Sequence, residues 1–278
     1  AHKTHKLWDN WGDSMNVDLP VVTESFNETH TYVWLPVDDE SKNNPWHIWI
    51  DVISKFRLIE KRWSTDFTKY CYVLANESKY LEKCIKELFP EVKLLVMSKN
   101  DTWQFKHLLV PSASNSKDGV LTPHLAPWLR HFKGRPELKD AKPHRKILVL
   151  RPGAKTRRIT NSDELLLALK GWETVDLAKM TIREQMKTFA EATHIVSPHG
   201  AGLTNLLWCE EGTKVFELTH KAFFGKKVYP VLSKHLGLKH TVVLCDTVPI
   251  KGKKPKNKKS KDMVDLKLNV PQLIKLLD

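Results

Sequence analysis

Between Lys146 and Cys245, short apolar runs alternate with amphipathic stretches, and this alternation restricts the fold more than any other feature. KILVLRP, WETVDL, HIVSP, KVFEL and HTVVLC read as strands. The segments between them read as helices. NSDELLLALKG has Asn or Ser as a cap, acidic first-turn residues and a closing Gly, and TIREQMKTFAEA has Thr181 as N-cap with Glu184 three positions on. GAGLTNLLW opens a further helix and YPVLSKHLG ends one on Gly. Parallel neighbours need crossover connections, so such a series folds as a parallel sheet wrapped by helices.

The first half repeats the logic less regularly. TYVWLPV, YCYVLAN, KLLVMSK and FKHLLVP read as strands, while PWHIWIDVISKFRLIEKR and SKYLEKCIKELF read as helices. A further helix is expected over 121–132, then a polar linker over 134–144 with two prolines. Two α/β halves in tandem predict two Rossmann-like domains, 1–135 and 144–250, facing across a cleft. A lysine-rich loop, 251–261, and a terminal helix, 262–278, complete the expected organisation.

Net charge is +13, and the stretch KGKKPKNKKSK alone carries seven lysines, so the excess belongs largely to one solvated loop. No binding motif interleaves those lysines with aromatics, which sets aside a nucleic-acid partner. Cys71, Cys84, Cys209 and Cys245 form no C-x-x-C pair, which predicts buried free thiols. No apolar run reaches the length of a membrane span, and the first residues contain no secretory leader, so a soluble protein is expected.

HIVSPHGAGLTNLLW carries the strongest chemical signal. A buried strand runs into His199, Gly200, Ala201 and Gly202 and then directly into a helix through Leu203 and Thr204, so amides and the positive helix end converge where a phosphate sits. The small residues let the phosphate approach the main chain. By itself a G-x-G turn is also a plain βα corner, and an oxidoreductase uses a similar site, but 200–205 reads GAGLTN and lacks the G-x-G-x-x-G fingerprint. LVLRPGAKTRRITN follows another buried strand with Arg151, Lys155, Arg157 and Arg158; arginine forks clamp a diphosphate, whereas a bare charge run is only solvated. Glu217, near the end of KVFEL, stands where a carboxylate accepts from ribose hydroxyls. In the first half, His47 and Asp51 are four apart on one face of an apolar helix and are either a partnered core pair or functional. Gly12-Asp13-Ser14 has the look of a lipase nucleophile block but follows no buried strand.

Together these segments resemble glycosyltransferase family 61, which includes plant xylosyl- and arabinosyltransferases and the O-GlcNAc transferases of extracellular protein domains. The family's Asn, aromatic, His and downstream acid are matched by Asn44, Trp46, His47 and Asp51; its arginine loop by Arg151, Arg158 and Asn161; its last motif by His199 through Asn205, with Glu217 following. The resemblance covers roughly residues 30–275, and only its last motif is specific. It implies a GT-B arrangement in which 1–135 is the acceptor-side domain and 144–250 binds a nucleotide sugar. It further implies an inverting reaction with no required metal or other cofactor, and the sequence contains no D-x-D triplet. UDP-xylose is the implied donor and a glycan or glycoprotein the acceptor. Asp51 is then the catalytic base with His47 as second candidate, and Trp34, Trp46, Trp49, Trp103 and Trp128 are either stacking faces for a glycan acceptor or, for most of them, core residues. A chain short for the family and without an anchor points to a microbial or viral enzyme in a cytoplasm, or to the Golgi lumen if it is a piece of a longer protein.

Overall fold

The computed structural model describes residues 22–26, 30–37, 42–98, 101–112, 128, 138, 140–221, 227–250 and 264–277, with backbone alone at 4–8 and 14–18. Strands β1 (Thr4–Trp8) and β2 (Ser14–Asp18) pair antiparallel, and β3 (Glu24–Phe26) pairs parallel with β7 (Trp103–Phe105). None of β1 to β3 was expected.

Two parallel sheets form the body. The first has β4 (Thr31–Leu35), β5 (Tyr70–Leu74), β6 (Lys93–Val96) and β8 (Leu108–Leu109) in the order β6-β5-β4-β8. Along β4 the side chains alternate: Val33 and Leu35 enter the main core, while Tyr32 joins Cys71 and Val73 in a smaller cluster on the other face. FKHLLVP is not one strand, because β7 and β8 belong to different sheets.

The second sheet contains β9 (Arg145–Val149), β10 (Glu173–Val175), β11 (Ala192–Pro198), β12 (Lys214–Thr219) and β13 (Lys239–Leu244), in the order β10-β9-β11-β12-β13. All its pairings are parallel, as the βα alternation requires. The order reverses between β9 and β11, and a reversal of this kind opens a crevice at the strands' carboxyl ends.

Helices in the first half are α1 (Pro45–His47), α2 (Lys55–Arg62) and α3 (Lys79–Leu88). The expected single helix over 45–62 is interrupted by a π-helical turn, Ile48–Ile53, after which the Ser54 hydroxyl donates to the Ile50 carbonyl. Helix α3 starts on Ser78, whose Oγ accepts from the Leu81 amide at 3.2 Å, and buries Leu81, Cys84, Ile85 and Leu88 at helical spacing.

In the second half, α4 (Ser162–Ala168), α5 (Ile182–Ala190) and α6 (Val228–His235) provide crossovers, and α5 has the capping box read from Thr181 and Glu184. The segment after the His-Gly-Ala-Gly turn is a 3₁₀ helix, Ala201–Trp208, rather than an α-helix. The terminal segment is not one helix either. β14 (Asp246–Pro249) pairs antiparallel with β15 (Val264–Lys267), and α7 (Val270–Leu277) follows. The alternation Val264, Asp265, Leu266, Lys267 explains the strand: Leu266 is fully buried, and Asp265 meets Arg158.

One hydrophobic cluster contains residues from both sheets, including Val33, Leu35, Ile147 and Ile195. Within it the π turn meets the 3₁₀ helix, with Trp49 and Trp208 edge to face at 5.1 Å. All four cysteines are free and buried, as expected. The helix read over 121–132 lies outside the described residues except for Trp128, whose indole donates to Glu60 Oε2 at 2.9 Å. The linker read over 134–144 is described only at 138 and 140–144, where Leu138 is packed in the core. The lysine-rich loop lies outside the described residues. Among the described residues no helix is long and apolar enough to cross a membrane.

Trp208 is fully buried and couples the two layers. Trp208→Ala is expected to lower the unfolding free energy by about 3–5 kcal/mol, read by urea denaturation, through lost burial and an unfilled cavity.

Candidate active site

A cavity of about 1020 Å³ opens at the carboxyl ends of β9, β10 and β11, at the reversal of strand order. Leu150 and Arg151 follow β9, Asp176 to Ala178 follow β10, Pro198 ends β11 and Gly200 to Gly202 follow it. The opposite wall comes from the first half: Asn43 to Pro45 ahead of α1, and Tyr80, Lys83, Lys86 and Glu87 on α3. Asn44 also holds α1 in place, since its Oδ1 accepts from the Trp46 amide at 3.1 Å.

The glycine turn is built for close approach. A Cβ on Gly200 would lie 3.2 Å from Arg151 Nη1, and one on Gly202 would lie 2.8 Å from a Leu177 methyl. The Leu203 amide is taken by the Gly200 carbonyl at 2.9 Å, which leaves the amides of Ala201 and Gly202 ahead of the first hydrogen bond of the 3₁₀ helix. Leu203 therefore does not offer the donor expected of it. Thr204 is buried behind the turn, off the cavity wall.

Of the cations in the arginine loop, Arg151 alone lines the cavity. Its Nη1 is buried and has no hydrogen-bond partner among the described residues, and burial pulls its pKa below the ordinary arginine value, with Tyr229 opposing. A buried guanidinium without a counter-charge is costly unless a ligand supplies one. Lys155 is exposed and off the wall. Arg158 points elsewhere: its Nε and Nη2 donate to Asp265 Oδ2 at 3.0 and 2.5 Å, and its amide donates to Oδ1. Asn161 exchanges both amide groups with the backbone of Leu268, at 2.9 and 3.0 Å, and so ties the segment before α7 to the start of α4. Arg157, expected in the same cationic loop, lies off the cavity wall; it donates from Nη1 to the His199 carbonyl at 2.7 Å and has a left-handed φ of 58°.

Glu217 does not offer itself to a ribose. It is buried, its Oε1 accepts from His199 Nδ1, and its Oε2 accepts from His240 Nε2 at 2.9 Å. Burial pushes the Glu217 carboxyl up, and the hydrogen bonds and charge of His199 and His240 outweigh it, so its pKa lies below the ordinary value. Asp176 is the second-half acid on the cavity wall, directly after β10, and its Oδ1 also accepts from the Ala178 amide at 3.2 Å. The signal available for it was an acid directly after the strand Glu173–Val175, where α/β folds present carboxylates to ribose.

His47 and Asp51 meet as expected, Nδ1 to Oδ2 at 2.6 Å, with side chains 43 % and 31 % exposed. They are accessible rather than a sealed core pair, and neither lines the cavity, which reaches their segment at Pro45. Lys55, one turn beyond Asp51, is buried and donates to the Ser112 carbonyl at 2.8 Å; burial lowers its pKa and Asp51 raises it. Among the described residues no three His, Cys, Asp or Glu side chains are grouped to hold a metal ion.

A parallel α/β fold with a cavity at the strand reversal, lined by the glycine turn and Arg151, has the arrangement in which open α/β sheets hold their ligands. Residues 46–216 match the profile described as Glycosyltransferase 61, and the chain belongs to that family. It is similar to a beta-1,2-xylosyltransferase of rice, Oryza sativa subsp. japonica, with 32 % identity over 71 residues. That match covers 22 % of this chain and 13 % of the rice protein's length.

The Glu217 carboxyl, depressed below the ordinary glutamate value of 4.5, contributes stability that is present above that pH and lost as pH falls through the folded-state value. Glu217→Gln is therefore expected to be less stable at neutral pH and to lose less on acidification below 4.5. Urea unfolding across that range checks both outcomes.

Proposed function

We propose that this protein transfers a sugar from a nucleotide-sugar donor to an acceptor hydroxyl, holding the donor in the cavity at the ends of β9, β10 and β11. The observation that carries this reading is the buried Nη1 of Arg151 over the Gly200 turn, with no hydrogen-bond partner among the described residues. A diphosphate supplies both the missing counter-charge and acceptors for the amides of Ala201 and Gly202. Asp176, on the cavity wall, accepts from the ribose in the role expected of Glu217.

The chain is read as two GT-B-like domains, 1–135 on the acceptor side and 144–250 on the donor side, with the acceptor approaching past α1 and α3. Asp51, hydrogen-bonded to His47, takes the acceptor's hydroxyl proton as that oxygen attacks the anomeric carbon from the face opposite the diphosphate. The bond from the anomeric carbon to the diphosphate oxygen breaks, the electron pair leaves with the diphosphate, and configuration inverts. Arg151 and the turn amides stabilise the leaving charge in place of a metal ion. UDP-xylose is the favoured donor, on the family and on the name of the rice relative, and a glycan is the acceptor.

Calorimetric titration with UDP, UDP-xylose and UDP-GlcNAc, in EDTA and then in manganese, tests the reading. Micromolar binding in EDTA with UDP-xylose tightest is expected; no binding in either condition sinks it. Arg151→Ala should weaken UDP binding about ten- to a hundredfold, the worth of charge-assisted hydrogen bonds. Asp51→Asn should lower turnover about a hundred- to ten-thousand-fold while UDP affinity stays close to wild type. Wild-type turnover in Asp51→Asn would move the base to His47.

A further inference from the structure

Behind the Gly200 turn lies a buried chain of side chains, two of which, His240 on β13 and Ser233 on α6, have no place in donor binding. Glu217 is 2 % exposed, with His199 Nδ1 at Oε1 and His240 Nε2 at Oε2. Ser233 Oγ lies 2.7 Å from His240 Nδ1 and is fully buried. An ionised carboxylate only accepts hydrogen bonds, so the ring nitrogens that face Glu217 both carry hydrogen. His199 is thereby restricted to its Nδ1–H form or the cation, and the Ser233 hydroxyl donates to Nδ1 of a neutral His240.

The terminal torsion of a glutamate is broad, and a carboxylate held through one oxygen retains much of that freedom. The second donor removes it. His199 is also the backbone hinge of the turn: its amide donates to the Leu218 carbonyl at 2.8 Å, and its own carbonyl accepts from Arg157 at 2.7 Å. Pro198 before it and Gly200 after it both line the cavity.

We propose that His240, locked by Ser233, is a positioning residue that acts through Glu217: it occupies the second carboxylate oxygen and so fixes the imidazole of His199 and the backbone of the turn that receives the donor's diphosphate. The inference rests on reading that turn as the diphosphate site. His240→Gln keeps an N–H donor for Glu217, whereas His240→Leu removes it, so the pair separates hydrogen bonding from filling of space.

Two measurements test it: nitrogen-15 shifts of the His199 ring without ligand, and UDP affinity by calorimetry. In wild type and His240→Gln the ring is expected to show one fixed, protonated Nδ1. In His240→Leu the shifts should move towards exchange between tautomers, and UDP binding should weaken about tenfold, the worth of one charge-assisted hydrogen bond. Ser233→Ala, a milder change, should move the ring shifts in the same direction and serves if His240→Leu does not fold. Unmoved ring shifts in the Leu or Ala variant overturn the proposal, and so does a Gln variant as impaired as the Leu variant. A wild-type protein that binds no UDP overturns only the donor-site reading, because the ring shifts answer the positioning question without ligand.

Discussion

The packing of the π turn Ile48–Ile53 against the 3₁₀ helix Ala201–Trp208 is the contact on which the rest of the molecule depends. Trp49 meets Trp208, and Trp46 meets Tyr229, which in turn stands against His199. Residues of both sheets are therefore buried in one cluster, and the segment with His47 and Asp51 is held beside the segment with the glycine turn. Each half alone would expose an apolar face, so burial of that face and placement of the cavity are the same event.

Two charged groups beside the turn, buried Glu217 and half-buried Arg151, are treated in opposite ways. Glu217 is satisfied on both oxygens by histidines, which compensate its desolvation and make it part of the scaffold. Arg151 retains a buried Nη1 with no partner among the described residues and faces the cavity. A fold that satisfies one ion fully and leaves another open has placed its electrostatic strain where an anion can relieve it.

Local pattern made much of this legible. The βα series from Lys146 to Cys245, the capping box at Thr181, the turn at His199 to Gly202 and the pairing of His47 with Asp51 all follow from spacings of a few residues, and all appear in the structure. The π turn and the 3₁₀ helix were read as α-helix because both share its apolar spacing over so short a span. The strand Val264–Lys267 was read into the terminal helix, since four alternating residues beside a helical pattern carry little weight.

Which arginine of the loop faces the cavity was not legible, because the answer lies in Asp265, more than a hundred residues away, which claims Arg158. The same holds for Asn161, claimed by Leu268, and for Glu217, claimed by His199 and His240. By itself the sequence determined that the chain forms parallel α/β layers and where along it a phosphate-type turn and a carboxylate–imidazole pair would lie, because those features arise from periodicity and neighbouring residues. Only the tertiary structure decided which polar side chains remain available to a ligand, because a buried donor or acceptor is used up by whichever distant partner the fold brings within hydrogen-bond reach.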